Sequence, residues 1–155
     1  FFEQGGPSDG LKYDVIFIDG LHTAEQVTKD VRNAVLHLKP RGVIVMHDCH
    51  PRTEAAQRPV WDYGATAQWN GDVWKAAALI RLWHEVDFRI LDADNGVGVV
   101  LPWRPNSLPQ LADGDLARRA IDGLLEWGDV GRDGLLPLVS IGELRGWIGM
   151  PLRDG

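Results

Sequence analysis

With 155 residues, 45% of them hydrophobic, the chain is sized for one compact domain with a single core rather than two full domains. Its formal net charge of -6 and lack of any lysine or arginine cluster argue against a nucleic-acid binder, which needs a basic surface to displace counterions. No apolar run approaches the ~18 residues needed to span a bilayer, and the single cysteine, Cys49, cannot form an internal disulfide, so no membrane partner and a reducing, cytoplasmic setting are expected.

The opening residues Phe1 to Gly6 show neither an initiator methionine nor a charged-then-apolar signal pattern, which favours a truncated chain. Tyr13 to Asp19 is short, β-branched and continuously apolar, as a strand buried on both faces of a parallel sheet should be. Thr23 and Gln26 then have capping-box spacing, and Ala24, Val27, Val31, Ala34, Val35 and Leu38 recur at intervals of three and four. This apolar stripe predicts a helix ending at Lys39-Pro40, with a turn at Arg41-Gly42. Gly42 to Asp48 reads as a second buried strand, which makes Tyr13 to Asp48 a strand-helix-strand unit with parallel strands.

Cys49 to Gly71 has no regular period and much Pro, Gly, Thr, Gln and Asn; a loop this long in a compact domain is expected beside the site. Helical spacing returns over Asp72 to Trp83, with Asn70 or Asp72 as the cap. Val86 to Leu91 and Val97 to Leu101 flank Asp92 to Gly96, whose Asn-Gly pair tolerates the positive φ angles of a tight turn, so these two strands form an antiparallel hairpin. A connector over Pro102 to Pro109 leads to a predicted helix from near Asp113, lined by Leu116, Ala120, Ile121, Leu124 and Leu125. Gly128 to Gly134 ends it, and Ser140 and Glu143 repeat the capping-box spacing ahead of a short last helix. The expected organisation is an α/β domain over 1–104 and a helical extension over 105–155 packed on it.

Two strand-end motifs sharpen the reading: Asp14 to His22, ending Asp-Gly-Leu-His, and Leu38 to Asp48, ending His-Asp. Together they resemble the fourth strand, the following helix and the fifth strand of the class I S-adenosylmethionine-dependent methyltransferases, over roughly Tyr13 to Leu101. The resemblance implies the second half only of a Rossmann-like methyltransferase fold. It also implies that the glycine-rich turn and the acidic strand end, which in such proteins hold the cofactor's methionine and ribose, are lacking. Gly96-Val97-Gly98 lies inside the hairpin and reads as turn and packing glycine instead. The outer backbone edge of strand 13–19 would be left open, which implies pairing there with another segment or with a second copy as a homodimer.

Asp19 and Asp48 end neighbouring parallel strands ~4.8 Å apart, so both carboxylates should open into the crevice at the carboxyl edge of the sheet; the bland alternative is that they cap turns. By resemblance, Asp19, Gly20, Leu21 and His22 lie at the cofactor's sulfonium end. Asp19 and Asp48 match the pair that holds magnesium or another divalent cation in metal-dependent relatives, although Cys49 stands where those enzymes place an Asn. His22 and Asp19 are the catalytic candidates, with His22 as the proton acceptor or else a histidine that bonds its own turn. His50, Trp69, Asn70 and Asp72 are the candidates for contact with the acceptor. His47, Cys49 and His50 resemble a metal cluster on paper, but strand alternation lets only some of them converge. The function implied is methyl transfer from S-adenosylmethionine to a small-molecule oxygen or nitrogen nucleophile. The alternative is a non-catalytic remnant that associates through its sheet edge.

Overall fold

The computed structural model describes residues 10–65, 67–84, 86–102, 119, 123, 125–129 and 135–149. Strand β1 (Tyr13–Ile18), helix α1 (Ala24–Val35) and strand β2 (Leu38–Met46) form the expected unit, with β1 parallel to β2 from Val15 opposite Val43 to Ile18 opposite Met46. Thr23 caps α1 by accepting from the Gln26 amide, while the Gln26 side chain bonds Asp30 instead of returning to the cap, so only half of the predicted box forms. Val27, Val31, Ala34 and Val35 are the buried stripe.

Leu38 is not the last residue of that stripe. The helix stops at Val35, where Leu36 and His37 donate to the carbonyls of Asn33 and Ala34 in a tightened final turn. Leu38 then opens β2 opposite Tyr13, fully buried. The turn expected at Arg41-Gly42 survives as an irregularity inside the strand, with Arg41 at φ 67°.

β1 departs from its expected double burial. Ile18 is buried and Ile16 packs on the core, but Val15 and Phe17 on the other face are 58% and 59% exposed. The reason is position: β1 is an outer strand of the sheet, and among the described residues nothing covers that face.

Helix α2 (Val73–Arg81) precedes the hairpin of β3 (Val86–Leu91) and β4 (Val97–Pro102), whose turn holds Asp94, Asn95 and Gly96 at positive φ. A Cβ on Gly96 would sit 2.5 Å from the His50 backbone nitrogen, so only glycine admits this close approach; on Gly98 it would meet Cys49 Sγ at 2.8 Å. These are turn and packing glycines. Asp72 stands at the cap position of α2 without a side-chain bond to it, and the Asn70 side chain bonds elsewhere, so neither caps the helix as expected.

Strand β5 (Leu138–Val139) was not legible beforehand; it lies parallel to β3 through bonds from Ile90 to Pro137 and from Asp92 to Val139. Ser140 and Glu143 make the full capping box of helix α3 (Ile141–Ile148), whose Leu144 is buried. Trp127–Asp129 is a single 3-10 turn, and Leu125, Leu135 and Leu136 join the main core. The helix predicted from Asp113, and Trp103, lie outside the described residues except near its end.

The sheet among the described residues has the order β1-β2-β4-β3-β5, with β4 antiparallel to both neighbours and the other strands running one way. This is a mixed α/β architecture compatible with the Rossmann-like expectation. Its consequence is spatial: the carboxyl ends of β1, β2, β3 and β5 and the Asp92 to Gly96 turn share one edge. No helix among the described residues is long and apolar enough to cross a membrane.

Candidate active site at the carboxyl edge of the sheet

Asp19 follows the last residue of β1, and Asp48 lies two residues beyond β2. His47 between them keeps the two strands in step, its amide donating to the Ile18 carbonyl at 3.1 Å. Asp48 adopts φ 59°, a left-handed conformation that Asp tolerates better than most residues. Beyond it the chain is tied to the hairpin turn, with Cys49 and His50 donating to the Gly96 and Asn95 carbonyls. Asp19 is 41% exposed and Asp48 only 7%, so the two carboxylates meet different surroundings although they are neighbours.

His22 lies between them. Its Nε2 is 3.5 Å from Asp19 Oδ1, and its Nδ1 is 3.3 Å from Asp48 Oδ2. That second approach is a charge contact outside hydrogen-bond geometry, and Nδ1 is buried with no other partner. One ligand atom from each of Asp19, His22 and Asp48 lies within 4.8 Å of the others. The remaining oxygen of Asp48 accepts from Asn70 Nδ2, in a pair buried on both sides.

Of the His47, Cys49 and His50 group, His47 also points into this edge. Nδ1 is 3.3 Å from Asp48 Oδ2 and 3.7 Å from Asp19 Oδ1, and Nε2 is 3.1 Å from Asp94 Oδ2. Desolvation pulls its pKa down, but the bond to Asp94 and the field of Asp48, Asp19 and Asp94 outweigh that and raise it above 6.5. His50 goes the other way, held below 6.5 by burial and by Arg52, which itself pairs with Asp92 at 2.7 Å. Cys49 is fully buried, directs its thiol at the Met46 and His47 carbonyls, and has a pKa pushed up to about 12 by burial. His47, Cys49 and His50 therefore do not converge on one point, as strand alternation requires.

The long loop does return to the site. Trp69 stacks on His22 with ring centroids 4.9 Å apart, and Trp61 stacks on Trp69 at 5.9 Å and on Tyr63 at 4.2 Å. Trp61 and Tyr63 were not foreseen, because an aperiodic loop offers no pattern that ranks one aromatic above another. Trp74 is fully buried and donates to Gln57, anchoring the loop. Asp72 lies under the His22 turn, and His50 sits near Asp92, 4.0 Å away, at the far side of the edge.

A family model described as a methyltransferase domain matches residues 4–49, the stretch that carries β1, α1, β2 and the Asp19, His22 and Asp48 positions. Over that segment, less than a third of the chain, the sequence is similar to methyltransferase domains. No curated protein matches the chain.

Proposed function

We propose that this edge is the catalytic side of an S-adenosylmethionine-dependent methyltransferase acting on a small-molecule oxygen or nitrogen nucleophile. The observation that carries the reading is the convergence of Asp19, His22 and Asp48 within 4.8 Å at the carboxyl edge, inside the matched segment. The residues present suit such a cofactor. Asp19, Gly20 and Leu21 help line an open groove along β1, and the half-exposed Asp19 carboxylate there is available to the charge of a sulfonium. When bound, S-adenosylmethionine supplies an electrophilic methyl group on a sulfonium.

His22 takes the acceptor's proton as its oxygen or nitrogen gains the methyl group. Nδ1 is turned to the buried Asp48, which leaves Nε2 to accept the proton and lets Asp48 stabilise the imidazolium that forms. Asn70 holds Asp48 in place for that task. Asp19 orients the cofactor's charged end. Asp19 and Asp48 would also be hard oxygen donors to a magnesium-type cation if it took the place of the charge contact between Asp48 Oδ2 and His22; such an ion would polarise an acceptor oxygen. Cys49, buried and protonated, supplies no ligand.

The test is transfer of a labelled methyl group from S-adenosylmethionine to a panel of small alcohols, phenols and amines by the protein, with and without added magnesium. His22→Gln should lower kcat by roughly 10²–10⁴-fold, the usual contribution of a general base. A fully active His22→Gln enzyme would remove His22 from this role, and activity indifferent to chelation would remove the ion.

A second reading is favoured by the outer strand: Val15 and Phe17 project apolar side chains from an edge strand. In that version two copies pair along Tyr13–Ile18 as a homodimer. Light scattering after size exclusion decides it, since a monomer at high concentration is incompatible with such pairing.

A further inference from the structure

Four consecutive residues, Trp69 to Asp72, close the long loop onto the turn that carries His22. The Trp69 indole lies nearly parallel to the imidazole, at 17°, and Asn70 bonds Asp48 behind it. Gly71 has φ 61° and packs so tightly that a Cβ would fall 1.8 Å from the His22 carbonyl oxygen. The Asp72 amide donates to that same carbonyl at 3.2 Å. Asp72 Oδ1 accepts from the Ala24 amide at 2.7 Å, satisfying the first orphan N–H of α1.

The last contact is the informative one. Asp72 stands at the cap position of α2, where an Asp carboxylate normally accepts from its own helix. Its backbone carbonyl still accepts from Lys75, but its side chain leaves α2 without a side-chain cap and reaches α1 instead, two residues after His22. A side chain diverted from its local partner to fix a distant turn indicates that the geometry of that turn matters.

Resting on the role proposed for His22, we infer that Asp72 is a positioning residue: by bridging the start of α2 to Ala24 it fixes the Leu21 to Ala24 turn, and so sets the imidazole between Asp19 and Asp48 and beneath Trp69. The hydrogen bonds of Asp72 to the turn go to two backbone groups, the Ala24 amide and the His22 carbonyl. Trp69, Asn70 and Asp72 are thereby moved from acceptor contact to support of the proton acceptor, and the acceptor-facing part of the loop shifts to Trp61 and Tyr63, which stack outward from Trp69.

The experiment uses the full 155-residue chain with Asp72→Ala, Asp72→Asn and Asp72→Ser. Serine is a good cap for α2 but too short to reach Ala24, so Asp72→Ser keeps the helix while cutting the bridge. Histidine ring proton and nitrogen spectra provide the readout, with His22 assigned from His22→Gln. In wild type the stacked indole should displace the His22 ring protons upfield; Asp72→Ser and Asp72→Ala should lose that displacement, while His47 and His50 signals stay in place. Asp72→Asn, whose amide oxygen can still accept from Ala24, should retain it. Unmoved His22 signals in folded Asp72→Ser, or an equal change in Asp72→Asn, would overturn the inference.

A kinetic arm expects Asp72→Ser to lower kcat by roughly 10²-fold at most, with acceptor KM unchanged, because misplacing a reacting group costs rate rather than binding. A raised KM with kcat intact would return Asp72 to acceptor binding and overturn the proposal. Lack of methyl transfer by the wild-type enzyme would sink the function proposed for the site, and the ring spectra would still decide whether Asp72 positions His22.

Discussion

β1 and β2 look alike as sequence, each an apolar run ending in Asp, yet they occupy opposite situations. β2 lies between β1 and β4 with Ile44 and Met46 fully buried, and it delivers Asp48 into a pocket shared with Asn70. β1 lies at the sheet edge with Val15 and Phe17 exposed, and it delivers Asp19 half into solvent. The difference teaches that an apolar run predicts a strand but not what covers it. It also divides the labour of the site: the inner strand supplies the held, buried carboxylate, and the outer one supplies the accessible carboxylate.

The comparison breaks most visibly in the core. Ile44→Ala should cost about 2–5 kcal/mol in denaturant unfolding, the range for a fully buried aliphatic, because the site cannot collapse. Phe17→Ala should stay within about 0.5 kcal/mol, as for other exposed positions. A large loss for Phe17→Ala would mean that the outer face of β1 is covered in solution, and would favour the paired form.

At the strand ends the contrast is smaller but has the same sign. Asp48→Ala leaves the buried Asn70 amide without an acceptor and should destabilise by about 1–3 kcal/mol. Asp19→Ala should change stability by no more than about 0.5 kcal/mol while still impairing methyl transfer. Equal destabilisation by the two substitutions would erase the proposed division between a held and an accessible carboxylate.

The smallest effect is in the pH dependence, where two histidines near the same edge oppose each other. His47 has a folded pKa above 6.5, so the folded chain binds its proton more tightly; that stability is fully present below pH 6.5 and fades as pH rises through the folded value. His50 has a folded pKa below 6.5, so it weakens the fold as pH falls from 6.5 through its folded value. Melting curves across this range should therefore show His47→Gln removing a loss on the alkaline side and His50→Gln removing a loss on the acid side. Identical profiles for the two variants would contradict the opposing environments.

Where a local chemical rule was strong, the elements could be read from residues alone. The hairpin ran to within a residue of its expected bounds because Asn95-Gly96 demands positive φ, and the Ser140 and Glu143 box formed in full because both partners are local. Asp19, His22 and Asp48 came together because parallel pairing places strand ends side by side. What stayed hidden depended on tertiary contact. β5 is a pair of residues, too short to show alternation, and Leu38 has helical spacing but is claimed by Tyr13 across the sheet. Asp72 carries a cap residue's chemistry but spends it on another helix. The inward turn of His47 follows from the position of Asp94, on a different strand connection.

The most direct test of the central claim is amide chemical-shift mapping on the 155-residue chain titrated with S-adenosylmethionine to millimolar concentration, where weak binding still registers. Perturbations concentrated on Asp19 to His22, spreading to His47 and Asp48, are the predicted result. Shifts confined to the Arg58 to Gly64 stretch or to the Ser140 to Gly149 helix, with the Asp19 to His22 turn silent, would contradict it.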